Sequence, residues 1–141
     1  MNPMLDAEAV QQLIRQGFPR QSAQEWFWVE ALEAGRVQVR LAFRPWMLRP
    51  GQVVSGPALF AAVDTAMYAC VLAHLGPQLM AVTSDLTLHF LNKAVPGDLH
   101  AEARLLKQGR RLVVMDCRAW TEDPARLALH ATGSYVLPAS G

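Results

Sequence analysis

Apolar residues fall along this chain in two rhythms. From Leu5 to Gln16 they recur at three- and four-residue spacing, with Leu5, Ala9 and Leu13 beside Val10 and Ile14. That spacing predicts a short covering helix, ended by Gly17 and Pro19. After Trp26 the period becomes two: Val37, Val39, Leu41 and Phe43 alternate with Arg36, Gln38, Arg40 and Ala42, behind a turn at Ala34-Gly35. Glu25 to Glu33 and Arg36 to Arg44 therefore read as a hairpin. Pro45, Pro50 and Gly51 break the next stretch into a loop, Pro45 to Val54.

The segment Val54 to Leu75, VSGPALFAAVDTAMYACVLAHL, is apolar around its whole circumference. It reads as a helix enclosed by the rest of the protein. Ser55-Gly56-Pro57 suits its start, because Ser or Gly can cap and proline lacks an N–H that the first turn leaves unpaired. Gly76-Pro77 ends it. Three or four strands follow, over Leu79 to Leu91, Asp98 to Gln108, Arg111 to Glu122 and Arg126 to Leu137, divided at Pro96-Gly97, Gly109 and Asp123-Pro124. In the first, Met80, Val82, Leu86, Leu88 and Phe90 are expected on one face; in the second, Leu99, Ala101, Ala103 and Leu105 are. A hairpin, a long helix and an antiparallel meander define an α+β layer in which the sheet wraps the helix.

Asp64 is the carboxylate in the middle of that helix, so enclosure would desolvate it unless something polar meets it. Two readings stand: a functional carboxylate, or a structural one bonded to a neighbouring hydroxyl or backbone group. The helix also has the length of a membrane span, yet the central Asp64, the prevalence of Ala over Leu and the lack of a basic flank argue against one. The opening MNPMLDAEAVQQLIRQGF has early acidic residues and no apolar leader core, so a cytoplasmic protein is expected.

One domain over residues 1–141 fits the length, with 1–24 as N-terminal helix and lead-in. Hydrophobic residues make up 52% of the chain and charged ones only 18%. So little charge on a small domain predicts apolar surface covered by another copy: a homodimer, or a tetramer of paired dimers. A net charge of +1 excludes a general pull toward nucleic acid or anionic membrane. Cys70 and Cys117 sit in apolar periodic segments and read as two free core thiols. His74, His89, His100 and His130 have no Cys or carboxylate at ligand spacing, so no metal is expected, and there is no serine-hydrolase elbow or nucleotide-binding loop.

The order of elements, with S-G-P-x6-D at the helix start, resembles the hot-dog-fold acyl-CoA thioesterases of the phenylacetic-acid-degradation and 4-hydroxybenzoyl-CoA type. The likeness covers roughly Val37 to Leu137. In that family a loop ending in H-G-G opens the central helix, and an acidic residue follows nine positions after the His. Here Ser55 stands at the His position, Gly56 and Pro57 at the two glycines, and Asp64 at the acid; VDTAM resembles the family's A-D-T-A-x. VTSDLTLHFLNKAVPGD and KQGRRL resemble its second long strand and its later hairpin.

The resemblance implies thioester hydrolysis without a cofactor. The Gly56 N–H at the helix start would polarise the carbonyl, and Asp64 would act as general base or as nucleophile. Pro57 has no N–H, which leaves Gly56 alone as donor. The upstream loop lacks the Asn or His common in relatives, and Gln52 or Ser55 would substitute. Family members often place the Gly and the acid of one site on different subunits. A hydroxyl beside the water is the third element: the shared V-x-x-D implies Thr83, strict alternation implies Ser84, and a β-bulge would reconcile them. Lys93, Arg110 and Arg111 lie in turns that in relatives approach the CoA phosphates. Trp46, in the loop before the site, reads equally as packing or as pocket wall. An acyl-CoA thioesterase is the first expectation, a non-catalytic acyl-CoA-binding protein of the same fold the second, and a dehydratase, which expects a His near the helix, the third.

Overall fold

In the computed structural model, which describes residues 2–17 and 26–138, the first helix, α1, spans Ala7–Gly17. The Asp6 carboxylate accepts from the Ala9 N–H at 2.8 Å and caps it, and Val10 and Ile14 are buried. Strands β1 (Phe27–Glu33) and β2 (Arg36–Leu41) form the expected hairpin around Gly35, whose φ of 76° is one that a side chain disfavours. Glu25, the expected start of β1, and the end of the lead-in lie outside the described residues. The following loop is more ordered than the prolines suggest: a 3-10 turn at Pro45–Met47 leads into a small ribbon of β3 (Leu48–Arg49) and β4 (Val53–Val54).

Helix α2 spans Gly56–Leu75, and β5 (Val82–Phe90), β6 (Leu99–Gln108), β7 (Leu112–Trp120) and β8 (Leu129–Val136) complete one antiparallel sheet ordered β1-β2-β6-β7-β8-β5. The alternation that marks the strands also builds the core. Val37 and Val39 of β2, Leu99, Ala101 and Ala103 of β6, and Val113, Met115 and Cys117 of β7 are all buried toward the helix. On the opposite face Glu102 is held between Arg36 at 2.6 Å and Arg104 at 2.8 Å. Burial would raise its pKa, but these two hydrogen bonds outweigh it and hold the carboxyl below its ordinary value.

Two expectations are corrected. Helix α2 is not enclosed on every side: Val63, Met67, Cys70 and Leu72 are buried, whereas Phe60 and Ala61 are exposed and Asp64 is half-buried. The helix is long and apolar enough to cross a membrane, yet about two thirds of its apolar window is packed inside the fold, as suits a core helix. The five apolar residues expected on one face of β5 also divide. Met80 precedes the strand and is exposed, and a register shift between Thr83 and Asp85 places Val82 opposite Val136 while Leu86 lies opposite Gly133. Val82 and Leu86 therefore point to opposite faces. Cys70 and Cys117 are free and buried, and burial pushes the Cys70 thiol up to about 12.

Candidate active site

The start of α2 offers one open backbone donor. Ser55 is extended (φ −71°, ψ 156°) and caps the helix, its Oγ accepting from the Ala58 N–H at 3.3 Å and its carbonyl from the Leu59 N–H at 3.1 Å. Pro57 has no N–H. The Gly56 N–H is therefore the first-turn amide without a partner among the described residues. The cap is tied down from outside, because the Ser55 N–H reaches the Met47 carbonyl at 2.8 Å and the Val54 N–H reaches that of Ala94 at 2.9 Å. Gly56 opens on a cleft of about 450 Å³ whose lining includes Arg49, Phe90, Asn92 and Lys93. The Phe90 ring lies 3.4 Å from where a side chain on Gly56 would begin.

Asp64 lies eight residues further along α2, a rise of about 12 Å, on a different cleft. That cleft measures about 580 Å³ and has mainly apolar and aromatic walls, among them Trp26, Phe60, Tyr68 and Val82. Two hydroxyls converge on the same carboxylate oxygen: Thr83 Oγ1 and Tyr135 Oη each donate to Asp64 Oδ1 at 2.7 Å. Among the described residues no hydrogen bond falls on Oδ2. Thr83 and Tyr135 are direct cross-strand partners in β5 and β8, which explains why both side chains reach the same point.

The bulge places the two candidate hydroxyls differently. Ser84 is the extra residue that it leaves over, exposed and without a bond to Asp64, while Thr83 faces the helix. Tyr135 was not foreseen. Its sequence signal is a phenol within an apolar strand, which needs a partner when buried, but the partner is readable only from the register. Burial, then the negative charge of Asp64, push the Tyr135 phenol above its ordinary value, so it remains an O–H donor. Its ring stacks on Tyr68 at 6.1 Å, and Tyr68 Oη donates to the Leu79 carbonyl at 2.9 Å.

The remaining expected residues scatter. Lys93 lies on the Gly56 cleft, while Arg110 is exposed in the β6–β7 turn. These stand beside opposite ends of β8, about 25 Å apart along the strand, so one protomer does not bring both to one phosphate. Trp46 is exposed. His74 is a buried structural residue: its Nε2 accepts from the Gly35 N–H at 2.7 Å and its Nδ1 lies 2.9 Å from the Cys70 carbonyl, tying the helix end to the first hairpin.

A long helix wrapped by an antiparallel sheet defines the hot-dog fold, here with an open donor at the helix start and a hydroxyl-bound carboxylate on its exposed side. The chain belongs to the thioesterase superfamily, whose match covers residues 51–128, and it is an enzyme that hydrolyses thioester bonds. It is 30% identical over 140 residues to a Saccharolobus solfataricus protein assigned as an esterase, covering 96% of this chain and 87% of that one. A crystal structure from Silicibacter sp. TM1040, assigned as a thioesterase, is 35% identical, superposes with a TM-score of 0.85, and matches over 98% of this chain and 95% of its own. A hypothetical thioesterase from Streptococcus pneumoniae, crystallised with coenzyme A, shares the fold at 22% identity and a TM-score of 0.73, over 92% of this chain and 96% of its own.

Proposed function

We propose that the thioester cleaved is an acyl-CoA, that Asp64 is the base or nucleophile, and that the Gly56 N–H is the oxyanion donor. The observation that carries this reading is the Asp64 carboxylate, fixed through one oxygen at the side of an apolar cleft large enough for an acyl group. The coenzyme A in the Streptococcus pneumoniae relative supports the choice of thiol.

Acting as base, Asp64 takes a proton from water while the water oxygen adds to the carbonyl carbon. The charge that develops on the carbonyl oxygen is met by the Gly56 N–H and the positive end of α2. Collapse breaks the C–S bond, the sulfur leaves as thiolate and takes up the proton, and the products are a carboxylic acid and coenzyme A. Acting as nucleophile, Asp64 gives the same products through an anhydride that water then opens. Single turnover in H₂¹⁸O marks the nucleophilic route when the anhydride is opened at the Asp64 carboxyl carbon: direct attack by water on the thioester labels only the product, whereas that opening leaves the label in Asp64 and carries unlabelled Asp64 oxygen into the product.

A thioester carbonyl must lie within about 3 Å of its donor, and a rise of about 12 Å separates Gly56 from Asp64 on one helix. The two therefore serve one carbonyl when they come from different copies, which makes the working enzyme a homodimer. Lys93 and Arg110, distant within one protomer, then hold the nucleotide phosphates from different sides, with Ser55 and Pro57 shaping the entrance.

Free-thiol release over an acyl-CoA panel, run on wild type and Asp64→Asn, tests the reading. Asp64→Asn should lower kcat by about 10²–10⁴-fold with acyl-CoA binding and thermal unfolding retained. A folded Asp64→Asn variant turning over at the wild-type rate refutes it.

A further inference from the structure

We propose that Tyr135 is a positioning residue for the reaction, holding Asp64 through Oδ1 so that Oδ2 is the oxygen that meets water or the thioester. The inference rests on the catalytic reading of Asp64. A carboxylate on a helix surface rotates about its terminal bond and exchanges its two oxygens. Here both protein hydroxyls land on one of them, at 2.7 Å each, from residues directly opposite each other in two paired strands. An ionised carboxylate only accepts, so both contacts run from hydroxyl to Oδ1, and the lone pairs of Oδ2 are left for the reaction.

The two hydroxyls are not equivalent. Thr83 lies on an exposed edge strand, whereas Tyr135 is 3% exposed, packed in β8 and stacked on Tyr68, whose own hydroxyl is anchored. Tyr135 Oη also lies 3.0 Å from the Asp64 main-chain carbonyl, so it contacts both the backbone and the side chain of the residue that it orients. A carboxylate in the third turn of the helix is thereby referenced to the far strand rather than to its own flexible side chain. Both hydrogen bonds that the phenol O–H donates fall on Asp64, so its contribution lies in the geometry of that residue.

The test is Tyr135→Phe, which keeps the ring and its packing. With the acyl-CoA that wild type hydrolyses best, kcat should fall roughly 10–100-fold, the range for a lost hydrogen bond to a charged group, while KM stays within about twofold. Thr83→Val should lower kcat in the same way, and the double variant should lose less than the product of the two, because both bonds serve one oxygen. In an Asp64→Asn background, Tyr135→Phe should produce no further loss of that size. Wild-type kcat in a folded Tyr135→Phe variant overturns the inference, as does a loss seen entirely in KM. If Tyr135→Phe does not fold, 3-fluorotyrosine placed at position 135, a stronger O–H donor of nearly the same shape, must change kcat, and an unchanged kcat is then the refutation. Loss of turnover in Asp64→Asn together with full turnover in Tyr135→Phe refutes the positioning role alone, whereas an active Asp64→Asn refutes the catalytic reading beneath it.

Discussion

The two edges of the sheet are treated in opposite ways. At β1 the edge is covered: α1 lies along it, Gln11 Oε1 accepts from the Val29 N–H at 2.8 Å, Arg15 donates to the Phe27 carbonyl at 3.0 Å, and a register shift between Val29 and Ala31 interrupts the strand. At β5 no described residue pairs with the outer edge over its nine residues, and Val82 and Phe90 are more than half exposed. A covered, bulged edge is how a sheet avoids growing, and a long apolar edge left open is where it grows. The open edge also flanks the exposed face of α2, so Asp64, Thr83 and Gly56 all lie in this less covered part of the fold. The sparse charge of the chain belongs to this half.

Breaking that half should cost most. Lysine at both Thr87 and His89 charges the β5 edge; sedimentation should show a monomer that is still folded, and thiol release should fall to background, because the Gly56 and Asp64 of one site would no longer meet. A fully active monomer would separate the site from the edge. Gly56→Pro, entered from a Ser55 already extended, deletes the open donor; kcat should drop about 10²–10³-fold with the dimer intact. Circular dichroism and dimer mass distinguish this from damage to the helix start. The closed half should respond in stability instead. Leu72→Ala, at a fully buried position, should destabilise by roughly 2–5 kcal/mol in denaturant titration while kcat per folded molecule is unchanged. The smallest effect is expected at the surface, where Arg110→Glu should raise KM about two- to fivefold with kcat retained, an effect that salt weakens.

The closed half was also the more legible. Alternation in Val37 to Phe43 and in Leu99 to Leu105, with turns at Gly35, Gly109 and Asp123-Pro124, placed the strands to within a few residues, because one face of each meets the helix and period two records it. The open half misled where the sequence holds no record of a neighbour. Apolar residues all round α2 looked like complete enclosure, yet Phe60 and Ala61 are exposed. Likewise Met80, Val82 and Leu86 seemed to form a single stripe, and the extra residue at Ser84 broke its phase. Asp64 was legible as a lone carboxylate in an apolar helix, whereas the motif pointed to Thr83 and strict alternation to Ser84. Tyr135 was not, since its meeting with Asp64 depends on a cross-strand register set some 50 residues earlier in the chain.

That bulge bears on how relatives of this chain are aligned. Thr83 opposite Tyr135 and Asp85 opposite Ser134 are consecutive rungs of the ladder, so Ser84 occupies a place in the sequence but none in the pairing. A homologue without the bulge would carry its site hydroxyl immediately before the equivalent of Asp85, and column-by-column alignment would set that hydroxyl against Ser84 and declare the site residue changed. Deleting Ser84 should keep both rungs, whereas inserting a residue into β8 beside Tyr135 would displace the phenol. At this site tolerance to a gap depends on the strand that receives it, and an alignment guided by strand pairing will find a hydroxyl that one guided by residue identity misses.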